Sequence, residues 1–568
     1  MLLQSLKEAL TREWSGILKP LSQGRQSRFN FGVYDIETPG IDSLEFYCCG
    51  FFDGEKYWNF KTMGDFLCHV LKKEYNGWRF FAHFGGRFDV HYVFDWLRAN
   101  EPDTYMEINC SGSCVISLTI RQSRNRWRFC DSYRLLEASL ATITKEFAVA
   151  HQKLKGRAFT DLEYNEYDCR GLYECLEIFF NQFEICSETI ASHAMRVFRS
   201  RFMRTDLYQP HREIENFVRR SYCGGRCEIY RYDSAQLNHY DVNSLYPAAM
   251  LQPVPVEYLM QSRELPDDDS KRIGFYEAII EQPETYLPVL PARLEKLYFP
   301  VGHFKGVFTS MELRAAIEAG AKVKILQGRV FLAEPIMREF TESLFEMKKQ
   351  AELEGNNGKR WIMKKCLNSL YGKWGQRREQ RAFIVDDGRA GLFPLPNGLA
   401  YYLMESHAAH ILPHISAAIT SRARLIIHGY LTQARSWYTD TDSLFTDSTL
   451  PVSADIGAMK FEGRGGFQAY RLKEYKFADE YKIKGLPRSK NENEAERLRE
   501  DRELQERYLA GYVIEYERMI GWTESVRLGE KTVRRIVRPR QRLEIRDKRA
   551  RDGPVDTRPW NVKELVAA

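Results

Sequence analysis

The chain has 568 residues, 44% of them hydrophobic and 28% charged, and its 83 Lys and Arg against 77 Asp and Glu leave a net charge of only +6. That apolar share excludes a disordered chain, and with no spanning apolar run visible a helical membrane protein is not expected. Twelve cysteines, all at or before Cys366 and without a pair of Cys-x-x-Cys sites, point to reduced thiols in a cytoplasmic protein rather than to zinc or disulfides.

In chain order, an acidic constellation comes first. Val33-Tyr34-Asp35-Ile36-Glu37-Thr38 reads as a strand, and strand alternation puts Asp35 and Glu37 on one face. Phe80-Phe81-Ala82-His83-Phe84-Gly85-Gly86-Arg87-Phe88-Asp89 supplies Asp89 after a glycine turn. In Tyr164-Asn165-Glu166-Tyr167-Asp168 a phenol and a carboxylate stand one helical turn apart. Four acids and a tyrosine suit a two-metal hydrolytic site, where one ion prepares a water and the other receives the leaving oxygen.

A domain boundary is expected near residue 190. Beyond it, the glycines of Ser221-Tyr222-Cys223-Gly224-Gly225-Arg226 permit close backbone approach to a ligand. Tyr240-Asp241-Val242-Asn243-Ser244-Leu245-Tyr246-Pro247 ends a strand in an acid and begins a helix, and the Val242 carbonyl offers a further oxygen. An insert over roughly residues 253 to 345 carries its own helix (310 to 319) and strands, one at 323 to 326. Next comes a helix in which Arg360, Lys364 and Asn368 recur every four residues, with Tyr371 three later on the same side, cations suited to a triphosphate. Two β-rich runs, 381 to 385 and 399 to 403, flank a Pro396-Asn397-Gly398 turn and read as a hairpin.

A helix-like stretch then leads into Tyr438-Thr439-Asp440-Thr441-Asp442-Ser443, a hairpin tip predicted to send Asp440 and Asp442 to one face. Carboxylates that close repel unless divalent cations neutralise them, and oxygen-only ligands suit Mg²⁺ or Mn²⁺. Residues 492 to 506 read as a solvated charged helix. From Arg527 to Arg551 there are eleven Lys or Arg and three acids, an excess of eight that suits duplex phosphates.

Each segment alone also fits a solvated turn or helix face. In this order, Asp241-x-x-Ser244-Leu245-Tyr246-Pro247, Lys364-x-x-x-Asn368-Ser369-x-Tyr371-Gly372 and the Tyr438 to Ser443 hairpin resemble motifs A, B and C of family-B DNA polymerases. The resemblance implies Asp241 and Asp442 as the metal-binding catalytic pair, aided by Asp440 and the Val242 carbonyl. It places Leu245, Tyr246, Arg360, Lys364, Asn368 and Tyr371 at the incoming dNTP, with Tyr246 under the sugar to reject a 2′-hydroxyl. The N-terminal segments resemble the three motifs of DEDD-type 3′–5′ proofreading exonucleases, which makes Asp35, Glu37, Asp89 and Asp168 metal ligands and Tyr164 the residue that orients the attacking water. Two Mg²⁺ per site are implied, with Mn²⁺ as the alternative. Phe84 departs from the pattern, standing where an asparagine that binds single-stranded DNA is usual.

Further segments resemble the protein-primed branch of that family. Tyr222-x-Gly224-Gly225 is similar to its linker motif, and Lys473-Glu474-Tyr475 to its primer-gripping Lys-x-Tyr. Ser132-Tyr133 is similar to its single-strand and terminal-protein contact, with Tyr133 where leucine is commoner. Lys155 is the candidate exonuclease lysine, and Lys153 competes for that place. Contacts to DNA are implied for Thr38, Phe88, Ser132, Tyr222, Gly224, Gly225, Thr439, Lys473 and Tyr475.

The implied fold is a multidomain α/β and α+β chain: an RNase-H-like exonuclease over 1–190, then a right-hand polymerase over 191–568. Within the latter, palm is expected over about 191–252 and 406–480, and a terminal-protein-contacting insertion over about 253–345. Fingers are expected over about 346–375, a strand-displacement hairpin over about 378–405 and a thumb over about 481–568. The implied function is a DNA-directed DNA polymerase replicating a linear phage or mobile-element genome, started on a hydroxyl of a separate terminal protein. Its partners would be DNA template and primer, dNTPs and that protein, with no membrane, and it would act as a monomer in host cytoplasm. The alternative is a primer-independent family-B polymerase of an integrated mobile element.

Overall fold

The computed structural model describes residues 14–22, 29–39, 44–101, 104–112, 114–154, 162–385, 388, 391–395, 399–487, 489, 494–528, 532–537 and 547–567. The first acidic run forms the strand Phe31–Glu37, inside a ten-stranded sheet. It runs parallel to Arg79–Ala82, which runs parallel to Asn125–Asp131, while the other pairs of the sheet are antiparallel. The helix Leu162–Asn181 lies across Phe31–Glu37 and Cys48–Phe52, burying Leu172, Leu176 and Phe180. A helix face over a mixed sheet is what the apolar strands and the amphipathic helix require.

Three of the ten strands come from far along the chain. Glu379–Val385 pairs with Leu399–Glu405 along its length, and Phe393–Leu395 pairs with the same returning strand. The turn expected at 396–398 lies outside the described residues. Glu379–Val385 also joins Tyr105–Ser111 through the pairs Ala382 with Asn109 and Phe383 with Ile108, so these late strands extend the N-terminal sheet.

A second sheet has seven antiparallel strands. Their order is Cys227–Ile229, Ser436–Asp440, Ser443–Thr446, Ala235–Val242, Met459–Arg471, Glu474–Phe477 and Glu480–Ile483. The buried helix Pro413–Leu431 and the short helix Leu245–Met250 lie together beside it. Between Leu251 and Arg338 the chain builds a separate four-stranded antiparallel sheet with the helix Ser310–Glu318, which begins in a capping box of Thr309 and Glu312. The helices Arg338–Leu353 and Asn357–Trp374 pack against each other over the mouth of the seven-stranded sheet.

Packing does not break at residue 190. Helix Ile190–Val197 continues through a π-helical turn, Phe198–Phe202. Its apolar residues share one core with Leu172 and Phe179 before it and with Leu344, Ile362, Leu370 and Ile415 after it. The C-terminal region is also divided. Ile514–Met519 pairs with Thr532–Val537, whereas residues 547–567 return to the seven-stranded sheet and the insertion. Thr557 donates to the Ile229 carbonyl, the Val301 N–H donates to that of Trp560, and Arg549 is buried near Glu228. The expected thumb over 481–568 therefore holds two structural parts. Much of its basic run, 529–531 and 538–546, lies outside the described residues.

Two candidate active sites

Strand Ala235–Val242 carries Asp241 to the end of the seven-stranded sheet, opposite Ser443 on one side and Lys460 on the other. The Val242 N–H donates to the Asp442 carbonyl at 2.8 Å, which locks the two acid-bearing segments together. Asp241 and Asp442 open on a cleft of about 880 Å³. Its far wall is the helical pair, contributing Arg360, Lys364, Asn368 and Tyr371 from one helix and Lys348 and Lys349 from the other. The four-residue repeat read in the sequence thus does align one face of Asn357–Trp374. Burial, then the charges of Asp442 and Glu462, push the Asp241 carboxyl up to about 7, and burial raises Asp442. Two desolvated oxygen donors beside a basic wall fit a divalent cation that carries phosphates. Tyr246 stacks on Tyr371, ring centroids 4.1 Å apart and planes at 13°.

Several expectations are corrected here. The strand stops at Asp440, and Thr441, at φ 69°, and Asp442 make the turn, so strand alternation does not align the two acids. Asp442 faces the cleft, whereas Asp440 pairs with Lys473 Nζ at 3.2 Å. Thr439 is fully buried, donating to the Ser443 carbonyl, and Tyr475 lies in the core against Tyr438 and Phe445. Neither side chain presents a surface to DNA. Val242 and Leu245 are core residues, so only their backbones can serve a ligand. Gly225 has a structural duty as well: a β-carbon there would sit 2.7 Å from Thr441, so the glycine seats the hairpin tip. Tyr222 and Gly224 line a second cavity, of about 520 Å³, with Arg219, Arg293 and Arg377.

On the ten-stranded sheet, carboxylate oxygens of Asp35, Glu37 and Asp168 lie within 4.8 Å of one another. Asp168 Oδ1 is buried with no hydrogen-bond partner, an orphan acceptor that a hard cation would satisfy. Burial raises the pKa of all three acids, and for Asp35 the charge of Glu37 adds to it. Lys153 is ion-paired with Asp168 Oδ2 and lies 4.3 Å over the Tyr164 ring. Lys153 thus stands at this cluster, and Lys155 lies outside the described residues. Asp89 stands apart from the tight trio. It accepts the Ile36 N–H at 3.0 Å, and burial pushes its carboxyl up to about 7.

Of the proposed DNA contacts nearby, Thr38 is buried and Phe88 is half-buried with its ring edge-on to Tyr92. Ser132 is fully buried, donating to the Ala82 carbonyl and bonded to His83, so it braces a turn instead of facing DNA. Two residues escaped the sequence reading. Asn165, fully buried, bonds both Asp35 and Glu37; its place three residues before Asp168, on the same helix face, was the available signal. Glu462 lines the other cleft, paired with Lys460 at 2.8 Å, and only strand pairing across a bulge brings it there.

A family model described as DNA polymerase type B, organellar and viral, matches residues 155–394. A probable DNA polymerase of Neurospora intermedia is 24% identical over 512 residues, covering 72% of this chain and 52% of that one. The DNA-directed DNA polymerase of Enterobacteria phage PRD1 is 24% identical over 489 residues, covering 78% and 82%. The chain spans about half the length of the Neurospora relative and 40% of one from Ascobolus immersus. Phi29 DNA polymerase, solved with primer-template DNA and incoming nucleotides, superposes with a TM-score of 0.70 at 18% identity, over 90% of this chain and 100% of that one. Its complex with single-stranded DNA gives 0.63 at 19% identity, over 80% and 89%. At these identities the structural likeness is one of fold, and the type B, organellar and viral, polymerase model matches less than half of the chain.

Proposed function

We propose that the chain is a DNA-directed DNA polymerase with a 3′–5′ exonuclease, of the protein-primed, strand-displacing kind. The observation that carries the first part is the opposition of Asp241 and Asp442 to the row Arg360, Lys364, Asn368 and Tyr371 across one cleft. In this reading the two acids hold Mg²⁺, or Mn²⁺, which when bound neutralises charge on the attacking and leaving oxygens of an in-line displacement. Lys364 and Arg360 hold the triphosphate of the dNTP. Tyr246, pressed against Tyr371, fills the space below the sugar, and Asn368 with Tyr371 senses the nascent pair. Lys473 steadies the primer end beside Asp440, and the basic cavity at Tyr222 and Arg219 takes the template strand.

For the second part, Asp35, Glu37 and Asp168 hold the ions of the trimming site with Asp89 in support, and Tyr164 positions the attacking water. Lys153 balances the charge of Asp168. The separate four-stranded insertion is assigned to the terminal protein, and the hairpin joined to the N-terminal sheet to enclosing the template. Among the described residues no helix is long and apolar enough to cross a membrane, and we assign the enzyme, as a monomer, to host cytoplasm.

Primer extension on a recessed template tests the assignment. Asp442→Ala and Asp241→Ala are expected to abolish extension while DNA binding persists, and Asp35→Ala to abolish removal of a mispaired 3′ end while extension persists. Loss of both activities in every variant would defeat the two-site reading. Covalent transfer of a dNMP to a purified small basic protein encoded beside this chain tests the priming assignment.

A further inference from the structure

We propose that Asn165 is a positioning residue of the trimming site, holding Asp35 and Glu37 in register for a shared divalent ion. This inference rests on the exonuclease reading above. Asn165 Nδ2 donates to Asp35 Oδ2 at 2.9 Å, to the Asp35 carbonyl at 3.2 Å and to Glu37 Oε1 at 3.3 Å. Its Oδ1 accepts the Tyr57 hydroxyl at 2.8 Å. The two carboxylates fix the amide's sense: reversed, it would set a carbonyl oxygen against both acids and its own N–H against a phenol oxygen that already accepts from Asn59.

The chemistry suits the task. Two carboxylates must stay close and mutually aligned before a cation arrives, and a neutral double donor does this without supplying positive charge. A lysine in that position would satisfy the acids and compete with the ion. Space is made for the amide by Gly50 on the neighbouring strand, where a β-carbon would fall inside the Asn165 side chain. Tyr57, on the edge strand Tyr57–Phe60, is itself steadied by Asn59 Nδ2 at 3.3 Å. An edge strand, a central strand and a helix are thus tied through one amide to the ligands. Outer partners of this kind are worth about 10- to 100-fold in metal affinity or activity.

The test uses the full chain carrying Asp241→Ala and Asp442→Ala, so that Mn²⁺ measured by calorimetry reports the trimming site. Asn165→Leu, close in volume, is expected to weaken Mn²⁺ binding about 10- to 100-fold, and Tyr57→Phe to weaken it by a smaller factor. In the otherwise unaltered chain, the Mg²⁺ concentration for half-maximal trimming of single-stranded DNA should rise correspondingly, with the rate recovered at high Mg²⁺. Mn²⁺ affinity within twofold of the parent in both variants overturns the inference, as does a rate loss in Tyr57→Phe that excess Mg²⁺ leaves untouched. If the parent double variant neither binds Mn²⁺ nor trims DNA, while its Asp35→Ala derivative is indistinguishable from it, the exonuclease reading itself fails and the inference with it.

Discussion

Phe84 stacks on Tyr133, ring centroids 4.1 Å apart and planes at 25°, from a backbone held at φ 60°. Phe84 and Tyr133 are the two places where the N-terminal segments depart from the exonuclease motifs they resemble, and the stack makes them one structural feature. A non-glycine residue in the left-handed region costs of order 1 kcal/mol or more, and Phe84 remains 37% exposed there. An exposed phenylalanine backed by a half-buried tyrosine, beside a turn that leads to Asp89, is a surface on which a base can lie, replacing the hydrogen bond of an asparagine. Base stacking of this kind is worth about 1–3 kcal/mol. Phe84→Ala is therefore expected to raise the KM for a single-stranded 3′ end about 5- to 100-fold, with a smaller effect on kcat. Steady-state trimming of short oligonucleotides measures this, and a KM within twofold of the parent would show that the platform is not used.

Trp522 joins three parts of the chain that are far apart in sequence. It is buried, 5.6 Å from Phe94 of the helix Asp89–Asn100 and 5.1 Å from Phe383 of the strand Glu379–Val385, edge-on to both rings. Leu399 and Val526 complete the same core. Truncating such a tryptophan costs about 3–5 kcal/mol, more than the two-pair ladder between Glu379–Val385 and Tyr105–Ser111 can offset. Trp522→Ala should open this closure while leaving the Asp241 cleft intact. Incorporation of a single nucleotide is expected to persist, and product length on a primed circle with a competitor trap to fall about tenfold or more. Undiminished product length would place the closure elsewhere.

What the sequence revealed and what it hid follow from the range of the interactions. Helix Asn357–Trp374 and the acidic strand Phe31–Glu37 were legible because local periodicity sets which residues share a face. The burial of the Ser132, Thr439 and Tyr475 side chains is not legible in the sequence, because burial depends on what packs above a residue, and a motif string does not carry that. Asp440 was misaligned for a local reason, a turn starting one residue earlier than the alternation assumed. The joining of Glu379–Val385 to Tyr105–Ser111 and the return of residues 547–567 to the seven-stranded sheet are long-range pairings, with no local signal in either partner.

Tyr246 and Tyr371 support each other face to face, and burial raises the pKa of both phenols. A ring clamped this way cannot swing aside for a 2′-hydroxyl without losing the stack. Tyr246→Val should relax sugar discrimination by about two orders of magnitude while dNTP incorporation falls less, since the rejection is steric and the acids are untouched. Competing rNTP and dNTP incorporation opposite one template base measures it. Unchanged discrimination would move the sugar contact to another residue.

His414 gives the protein a defined acid limb. Its ring is fully buried, stacked on Phe331 at 4.8 Å and 20°, and both ring nitrogens lack hydrogen-bond partners. Burial alone lowers its pKa from 6.5 to about 3, and His193 is likewise lowered to about 3. Below pH 6.5 the unfolded chain takes up protons that the folded chain refuses, so the stability held above 6.5 is lost as pH falls towards 3, at about 1.4 kcal/mol per pH unit for each histidine. Asp89 and Asp241 act in the opposite sense, since their carboxyls, raised to about 7, confer stability at low pH that is lost as pH rises through 7. The total profile mixes these terms, and a single substitution separates one of them. His414→Phe keeps a flat ring against Phe331 and removes the titration, so the variant's Tm should fall less steeply than the parent's between pH 6.5 and 4.5. Parallel Tm profiles would mean that His414 takes up its proton in the folded state, against the burial that surrounds it.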